Sequence, residues 1–548
     1  MKRVLYMLSF LVAVVLVILL VPGFSKMPEA IMAVIPNEIN HTAIIDVLPA
    51  NVPPPNSLKN MFGVNAYEWN FLQNPNNVND PSHIYEPKME LIQSFGAVRH
   101  YLDWEKIESK EGSFTFNPAN NGSWNYDAIY ERCKLQNIEV LVCLKNCPDW
   151  IVKTYPQNMQ NAEDVPAPYG LDRSDPATYV QQARAGFQLA ARYGRNKNVN
   201  RALVTVNNKP RWTADPVNQV KTGMGLIKYI ECDNERDKWW KGKQAHQSAA
   251  EYAANLSAFY DGNKGKLGKN AGVKNADPSM QVVMCGLAAP DPKYLREMVA
   301  WCKQHRGLKA DGSIDLCFDV INYHIYPNDN KQHFNKEATR GVAPELTEAG
   351  QVADAFVSIA NSLPKHPEVW VTETGYDINS QSPQRAIAIK GKSTLETQGD
   401  WILRTALLFN RHGIKRNFFY QLFDDNQSST QYATSGLTDE KKLSRRPAAD
   451  YILQTRKLMG NYVYKNTISN DPLVDVYQLG AKKMYVVVVP DEKGRMAHYK
   501  LNLGTAKTAL VHSLKIGADK MEATPEQTVN GFFDIYASET PIFVEGVL

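Results

Sequence analysis

The sequence predicts a (β/α)8 barrel followed by a small C-terminal β-sandwich. Between residues 61 and 459, eight short apolar runs alternate with stretches whose apolar residues recur at helical spacing. Strands that alternate with helices form parallel sheets, and eight such repeats close a barrel. Over residues 460–548 short strands with turns between them follow one another, which predicts the sandwich. A doubly wound sheet is the alternative, but no Gly-rich phosphate loop follows any of the strands.

The elements follow from these patterns in chain order. The barrel strands are predicted at 61–67, 96–102, 139–145, 227–235, 281–287, 318–327, 369–375 and 416–423. The helices predicted between them include 126–137, 179–194, 248–262, 293–305 and 353–363. The sandwich strands are predicted at 484–491, 497–503, 508–516, 531–537 and 540–548. Seven of the eight predicted barrel strands contain Val or Ile, and the eighth is rich in Phe, as expected for strands that are buried on both faces.

Residues 1–25 have the features of an export segment. A positively charged start precedes an apolar run from Leu5 to Val21 and a Pro-Gly break, as in a secretory signal peptide or an uncleaved membrane anchor. The run approaches the length of about 20 residues that spans a membrane. We favour export with cleavage, which predicts a secreted, periplasmic or cell-surface protein, and membrane anchoring is the alternative. Residues 26–60 are predicted to be a linker containing Pro and Asn.

Composition argues against several classes of function. The net charge is only +4 and no stripe of Lys and Arg is present, so nucleic-acid binding has little support. The chain has seven cysteines, and Cys143, Cys232, Cys285 and Cys317 lie in apolar runs, which predicts buried thiols and at most one or two disulfides. His and Cys lack zinc-ligand spacing, and residues 424–426 (Asp-Asp-Asn) lack the rest of a calcium loop. We predict no metal and no cofactor.

Polar side chains stand at the ends of several predicted strands. In a barrel of this kind the loops at the C-terminal ends of the strands build the open face, where the chemistry takes place. The residues at these ends are Arg99, His100 and Tyr101 on the second strand, Lys145 and Asn146 on the third, Asp233, Asn234 and Glu235 on the fourth, Tyr323, His324 and Tyr326 on the sixth, Thr372, Glu373 and Thr374 on the seventh, and Tyr420 on the eighth.

Glu235 and Glu373 are the candidate catalytic pair. They end the fourth and seventh strands, which places two acids across the mouth of one barrel. Glycoside hydrolysis needs such a pair, with one acid protonated to assist the leaving oxygen and the other ionised to attack the anomeric carbon. Arg99 and Tyr326 are suited to keep Glu373 ionised, by charge and by a hydrogen bond. We expect the two carboxyl groups to lie about 5–5.5 Å apart, the separation of a retaining enzyme.

These motifs resemble a known group of enzymes. Asn234-Glu235 and Glu373 look like the signature of the large clan of retaining glycoside hydrolases that includes the cellulase-like and the β-xylosidase/iduronidase-like families. The block GAVRHYLDWEKIESKEGSFTF (96–116) is similar to the latter, and NYHIYP (322–327) resembles the His-x-Tyr of the former. The resemblance covers roughly residues 60–460. It implies a carbohydrate substrate, with Glu235 as acid/base, Glu373 as nucleophile and Asn234 as donor to the sugar 2-hydroxyl.

The resemblance also implies supporting residues, and the sequence departs from it in two places. Arg99, His324 and Tyr326 would be the supports. Residues 233–236 read Asp-Asn-Glu-Arg where Trp-Asn-Glu-Pro is usual, and residues 419–421 read Phe-Tyr-Gln where a tryptophan floor for the sugar is common. The identity of the sugar is therefore open. Further candidates for substrate binding, from their positions at strand ends or just after the acid, are Asn146, Tyr420 and Trp239.

Two other functions are compatible with the barrel. One is a carbohydrate-binding protein that has lost catalysis, and the intact pair of Glu235 and Glu373 argues against it. The other is a transglycosylase, which uses the same covalent intermediate and differs only in whether water or a sugar accepts it. The sequence does not separate a transglycosylase from a hydrolase.

Overall fold

The computed structural model describes residues 57–548 apart from 75–79, 81, 212, 214 and 331–336. The predicted export segment (1–25) and most of the predicted linker (26–60) lie outside the described residues. The last residues of that linker are already structured, because Leu58–Met61 forms a turn of 3-10 helix. The backbone N–H of Leu58 donates to Tyr462 O at 2.9 Å. None of the helices in the described part of the chain has the length and apolar character that crossing a membrane requires.

Eight parallel strands close into a barrel in chain order, which confirms the predicted fold and excludes the doubly wound sheet. The strands are β1 (Gly63–Ala66), β2 (Ala97–Asp103), β3 (Glu139–Lys145), β4 (Tyr229–Cys232), β5 (Gln281–Met284), β6 (Val320–His324), β7 (Glu368–Glu373) and β8 (Arg416–Phe419). Each strand is followed by a helix, in order α1 (Glu86–Ile92), α2 (Tyr126–Leu135), α3 (Val180–Tyr193), α4 (Ala249–Asp261), α5 (Pro292–His305), α6 (Ala349–Ser362), α7 (Thr394–Arg411) and α8 (Pro447–Met459). Further single turns lie at Trp69–Leu72, Trp104–Ile107, Asp149–Val152, Gln157–Met159, Pro176–Tyr179, Arg201–Leu203, Trp239–Lys241, Val273–Ala276 and Pro344–Leu346.

Two of the helices begin at capping boxes that are visible in the sequence. Ser248 caps α4 by accepting a hydrogen bond from the backbone of Glu251, whose side chain accepts from the Ser248 N–H in return. Ser393 and Glu396 form the same reciprocal pair at the start of α7. Each box satisfies backbone donors that the first turn of a helix otherwise leaves unpaired, and losing such a cap typically costs about 1 kcal/mol.

The interior of the barrel is built in layers, because side chains two residues apart on a strand point to the same side. The lower layer is apolar and buried, and its members are Ala97, Leu141, Tyr229, Val283, Val320, Trp370 and Phe418. Gly63 of β1 is adjacent, since a Cβ at this position would lie 2.4 Å from the Phe418 ring. Two residues further along β2, β4, β6 and β7 stand Arg99, Glu231, Asn322 and Thr372, all fully buried. A polar layer thus lies directly above an apolar one, at the C-terminal ends of the strands.

The C-terminal region consists of antiparallel sheets, as predicted for a β-sandwich. A short antiparallel pair, β9 (Thr438–Asp439) with β10 (Ser444–Arg445), precedes α8. The strands that follow α8 are β11 (Val463–Asn470), β12 (Leu473–Leu479), β13 (Lys482–Val488), β14 (Ala497–Asn502), β15 (Thr508–Ser513), β16 (Glu522–Gln527), β17 (Phe532–Ala537) and β18 (Ile542–Val547). Six of them form one sheet in the order β11-β12-β13-β18-β15-β16, and β14 pairs with β17. Residues of both sheets, including Val474, Val487, Leu501 and Ile535, share one buried apolar cluster.

All seven cysteines are buried with free thiols, as predicted for the four in apolar runs. The sulfur atoms of Cys302 and Cys317 come within 3.5 Å of each other without a bond between them.

Candidate active site

Glu235 and Glu373 meet at the C-terminal mouth of the barrel, on either side of His324. Glu373 is the last residue of β7, His324 is the last residue of β6, and Glu235 follows β4 by three residues. His324 Nδ1 lies 2.8 Å from Glu235 Oε1 and 3.6 Å from Glu373 Oε1. One oxygen from each carboxylate and one imidazole nitrogen lie within 4.8 Å of one another. The two acids therefore share one small space.

Glu373 is held in its ionised form. Arg99 Nη1 donates to Oε1 at 2.9 Å, the Tyr326 hydroxyl donates to Oε2 at 2.9 Å, and the Tyr101 hydroxyl also donates to Oε1. Burial raises the pKa of Glu373, but the positive charges of His324 and Arg99 and the two hydroxyl hydrogen bonds outweigh it, so the pKa lies below its ordinary value. This carboxylate can act as a nucleophile without first losing a proton.

The pKa of Glu235 is shifted in the opposite direction, above its ordinary value. Burial raises its pKa, the hydrogen bond with His324 lowers it, and the negative charge of Glu373 raises it, with a net increase. The pKa of His324 is itself raised, because the two carboxylates outweigh the effect of burial. Two neighbouring carboxyl groups whose pKa values move apart are the arrangement that assigns one as acid and the other as base or nucleophile.

The loop after β4 aims Glu235 through an unusual backbone. Asp233 and Glu235 have φ of 69° and 51°, in the left-handed region that residues other than glycine rarely adopt. Asp233 Oδ1 accepts from the Asn234 N–H at 2.7 Å, and Asp233 Oδ2 pairs with Arg236 at 3.0 Å. Arg236 in turn donates to the backbone oxygens of residues 163, 164 and 245. Asp233 therefore has a structural role: its bonds stabilise the loop in which Glu235, the candidate acid, adopts a strained backbone conformation.

Arg99 is the hub of the polar layer. Its Nε and Nη2 donate to the two oxygens of Glu231 at 2.6 and 2.9 Å, and both residues are fully buried. Glu231 also accepts from the Gly286 N–H and from Asn322, each at 3.0 Å. Glu231 is thus the counter-charge of Arg99. Removing Arg99 would leave Glu231 as a buried charge without its cation, a change that costs about 3–5 kcal/mol of stability.

Asn234 is fixed by the same hub. Arg99 Nη2 donates to Asn234 Oδ1 at 2.8 Å. Because the amide oxygen is occupied in this way, Asn234 presents its NH2 group as a donor. That polarity is the one needed to hydrogen-bond a hydroxyl oxygen of a substrate.

The remaining predicted residues, Tyr420, Asn146 and Trp239, have other partners than the two carboxylates. The Tyr420 hydroxyl lies 3.2 Å from that of Tyr67, and the Tyr420 ring packs edge-on against Tyr101. Asn146 has φ of 62° and donates to Asp103 Oδ1 at 2.8 Å, at the end of β2. Trp239 lies in an exposed turn with its ring against Trp240, and 63% of its surface is accessible. The structure therefore unites Arg99, Asn234, His324 and Tyr326 with the carboxylates, whereas Trp239 makes none of these contacts.

The sequence placed Tyr101 at the end of the second strand but assigned it no role in the site. Its hydroxyl contacts Glu373, and its ring stacks on Tyr67, which stacks in turn on Trp69. Tyr432 adds a further ring beside Tyr326, with centroids 4.4 Å apart. The position of Tyr101 in the site could have been predicted from the sequence. Tyr101 lies two residues after Arg99 on the same strand, so the two side chains face the same side.

Glu235, His324 and Glu373 also have the donor atoms of a divalent-cation site, and theirs is the only such group found among the described residues. His324 Nδ1 and Glu235 Oε1 are already hydrogen-bonded to each other, and Glu373 accepts from Arg99, Tyr101 and Tyr326. A cation would also stand beside the Arg99 guanidinium, which lies 2.9 Å from Glu373. These three side chains are therefore better suited to act as a pair of acids with a supporting histidine than to bind a metal ion.

The fold and the site together define a (β/α)8 barrel with paired carboxylates at the ends of β4 and β7, and solved structures that share this fold are glycoside hydrolases. A family 39 glycoside hydrolase from the gut symbiont Bacteroides cellulosilyticus WH2 aligns with a TM-score of 0.59 and 16% identity, over 90% of this chain and 83% of that one. A GH30 endoxylanase from Clostridium papyrosolvens C71 aligns with a TM-score of 0.51 and 13% identity, over 90% and 98%. A family 51 α-L-arabinofuranosidase from Bifidobacterium longum aligns with a TM-score of 0.50 and 12% identity, over 91% and 98%.

No protein-family model matches the chain, and neither does any curated protein. The structural comparisons, at 12–16% identity, establish the fold that the sequence motifs implied.

Proposed function

We propose that this protein is a retaining glycoside hydrolase in which Glu373 is the nucleophile and Glu235 is the acid/base. One observation carries the proposal. Two carboxylates at the ends of β4 and β7 have oxygens within 4.8 Å of each other, and their surroundings move their pKa values in opposite directions. This spacing supports a retaining mechanism, because an inverting enzyme holds its carboxyls about 6.5–9.5 Å apart to admit a water.

The proposed reaction has two displacements. In the first, a Glu373 oxygen attacks the anomeric carbon, the glycosidic C–O bond breaks, and the leaving oxygen takes the proton of Glu235. In the second, Glu235 removes a proton from water, the water oxygen attacks the same carbon, and the bond to Glu373 breaks. Two inversions at one carbon give a product with the original configuration.

The supporting residues have separate roles in this scheme. Arg99 and Tyr326 hold Glu373 ionised, and His324 holds the Glu235 carboxyl through the 2.8 Å hydrogen bond. The NH2 group of Asn234 would donate to the sugar 2-hydroxyl, an interaction that strengthens in the transition state.

The substrate is proposed to be a polysaccharide or an oligosaccharide. Tyr420, Asn146 and Trp239 are proposed as further sugar contacts, Tyr420 nearest to the bond that is cleaved and Trp239 on the surrounding surface. We place the catalytic barrel at residues 61–459 and the sandwich at 460–548. Export through the N-terminal apolar segment would bring the site to carbohydrate outside the cytoplasm. The names of the structural neighbours suggest aryl xylosides and arabinofuranosides as the first substrates to test.

The test compares two glutamates of the same strand. Glu373→Gln should reduce turnover of the best aryl glycoside by several orders of magnitude and leave substrate binding intact, because only the covalent step is removed. Glu368, at the other end of β7, is exposed, and Glu368→Gln is the matched control, which should keep full activity. Proton NMR of the first-formed sugar should show the anomer of the substrate. Full activity in Glu373→Gln, or an inverted product, would overturn the proposal.

A further inference from the structure

Tyr101 stands beside the proposed nucleophile in a fixed position. Arg99 and Tyr101 are alternate residues of β2, so both point into the barrel, and 4% of the Tyr101 surface is accessible. The Tyr67 ring stacks on Tyr101 with centroids 5.2 Å apart, and Lys145 Nζ lies 5.1 Å from the centre of the Tyr101 ring. The edge of Tyr420 closes another side. The ring is therefore held on several sides, and its hydroxyl has little freedom to turn away.

The direction of the Tyr101 proton follows from its two partners. Arg99 Nη1 lies 2.6 Å from the Tyr101 hydroxyl oxygen, and a guanidinium can only donate. The hydroxyl oxygen is thus the acceptor in that bond, and its single proton is left for Glu373 Oε1, its other partner. Burial raises the pKa of Tyr101 well above its ordinary value, so the proton is present throughout the working range of pH.

The two oxygens of Glu373 are therefore not equivalent. Oε1 accepts from both Arg99 and Tyr101, whereas among the described residues Oε2 accepts only from Tyr326, at 2.9 Å. A carboxylate oxygen has two lone pairs in the carboxylate plane. Both are used on Oε1, and one remains on Oε2.

We propose that Tyr101 is a positioning residue which, together with Arg99, occupies Oε1 of Glu373, keeps the carboxylate ionised and leaves Oε2 as the oxygen that attacks the anomeric carbon. This inference rests on the proposed glycosidase function. The bond that forms joins Oε2 to the anomeric carbon, and the electron pair of the broken glycosidic bond leaves with the oxygen that Glu235 protonates. Tyr101 keeps its own proton throughout and contributes only a hydrogen bond.

A hydroxyl is needed here because the charge of Arg99 is already engaged. Two of its nitrogens face Glu231 at 2.6 and 2.9 Å, so Glu373 shares a cation that has a nearer partner. A neutral donor adds stabilisation of the carboxylate without adding a second buried charge.

The experiment compares Tyr101→Phe with Tyr126→Phe. Both rings are buried, but the Tyr126 hydroxyl makes no hydrogen bond in the described structure, so its removal is a matched control. The protein is labelled with 13C at the side-chain carboxyl of glutamate, and the Glu373 resonance is identified by its absence from Glu373→Gln. Tyr101→Phe should move the titration of Glu373 to higher pH and reduce kcat/KM roughly 10- to 100-fold, because a hydrogen bond to a charged group is lost. The acid limb of the pH–activity profile should move in the same direction, and Tyr126→Phe should change neither.

An unchanged Glu373 titration in Tyr101→Phe would overturn the inference, even if activity fell, because Tyr101 would then serve packing alone. The proposed function fails in a different way, through full activity of Glu373→Gln. The carboxyl resonance reports on Tyr101 without any turnover, so the two failures are distinguishable.

Discussion

Gly286 leaves room for His324, and filling that room should impair the proposed acid/base, Glu235, without replacing either proposed catalytic residue. A Cβ at residue 286 would lie 1.9 Å from His324 Nε2, whereas ordinary contact begins at 3.4 Å. In Gly286→Ala the imidazole must therefore move by about 1.5 Å, the difference between these two distances. Hydrogen bonds tolerate only a few tenths of an ångström, so His324 cannot keep both its 2.8 Å contact with Glu235 and its 3.0 Å contact with Thr372.

The expected losses follow from those contacts. A hydrogen bond to a charged group is worth about 1.5–3 kcal/mol, which corresponds to roughly a 10- to 150-fold loss in kcat/KM. Overpacking should also lower the free energy of unfolding by about 1–3 kcal/mol. His324 lowers the pKa of both Glu235 and Glu373, so its displacement should raise both and move both limbs of the pH–activity profile to higher pH.

A double-mutant cycle tests whether Gly286→Ala lowers kcat/KM by displacing His324. If Gly286→Ala acts through His324, then adding it to His324→Ala should cost nothing further, because the new methyl group occupies space that the imidazole has left. The assay is kcat/KM across pH for the two single variants and the double variant, with unfolding measured in parallel. Wild-type kinetics in Gly286→Ala, or losses that add in the double variant, would refute the reasoning.

Three further predictions concern the carboxylate pair. Glu235→Ala should impair an unactivated oligosaccharide far more than a dinitrophenyl glycoside, which departs without protonation, and equal losses on both would make Glu235 a structural carboxylate. Glu373→Gly should be rescued by added azide to give a glycosyl azide of inverted configuration, detected by NMR, and absence of that product would count against Glu373. The pH dependence of kcat/KM should be bell-shaped. Activity is lost on the acid side as Glu373, whose pKa lies below its ordinary value, takes up a proton, and on the basic side as Glu235, whose pKa is raised, loses one. A flat basic limb in the wild-type enzyme would contradict the role of Glu235.

The sequence predicted the eight strands of the barrel, but it was less accurate about the residues at which they end. The fourth strand was predicted to run to residue 235, but β4 stops at Cys232, because Asp233 turns into the left-handed region and ends the pairing. Periodicity of apolar residues reveals a buried strand and cannot show where the backbone leaves it. The placement of Glu235 beside Glu373 did not depend on that detail, since both follow strands of one closed sheet.

Elements without an apolar pattern were missed. β16 (EATPEQ) is exposed along its whole length and carries no alternation of apolar and polar residues. α7 was also not predicted, although its apolar residues recur at helical spacing as they do in α5 and α6. In the site, the position of Glu231 on the predicted fourth strand is compatible both with a residue that lines the cleft and with a partner in an ion pair. Only the closed barrel shows that Arg99 of β2 takes it as a partner across the interior.

The bonds of Arg99 join segments that are far apart in the chain. Its partners stand on β1 (Asn65), on β4 and the loop after it (Glu231 and Asn234), and on β7 (Glu373). The fragment that carries β1 to β4 and the loop after it would contain Arg99 and the proposed acid, Glu235, and the proposed nucleophile, Glu373, would belong to the other fragment. Neither half can assemble the reactive constellation alone. If the proposed function holds, turnover would report closure of the whole barrel, and a chain divided between β4 and β5 would regain activity only when its two pieces associate.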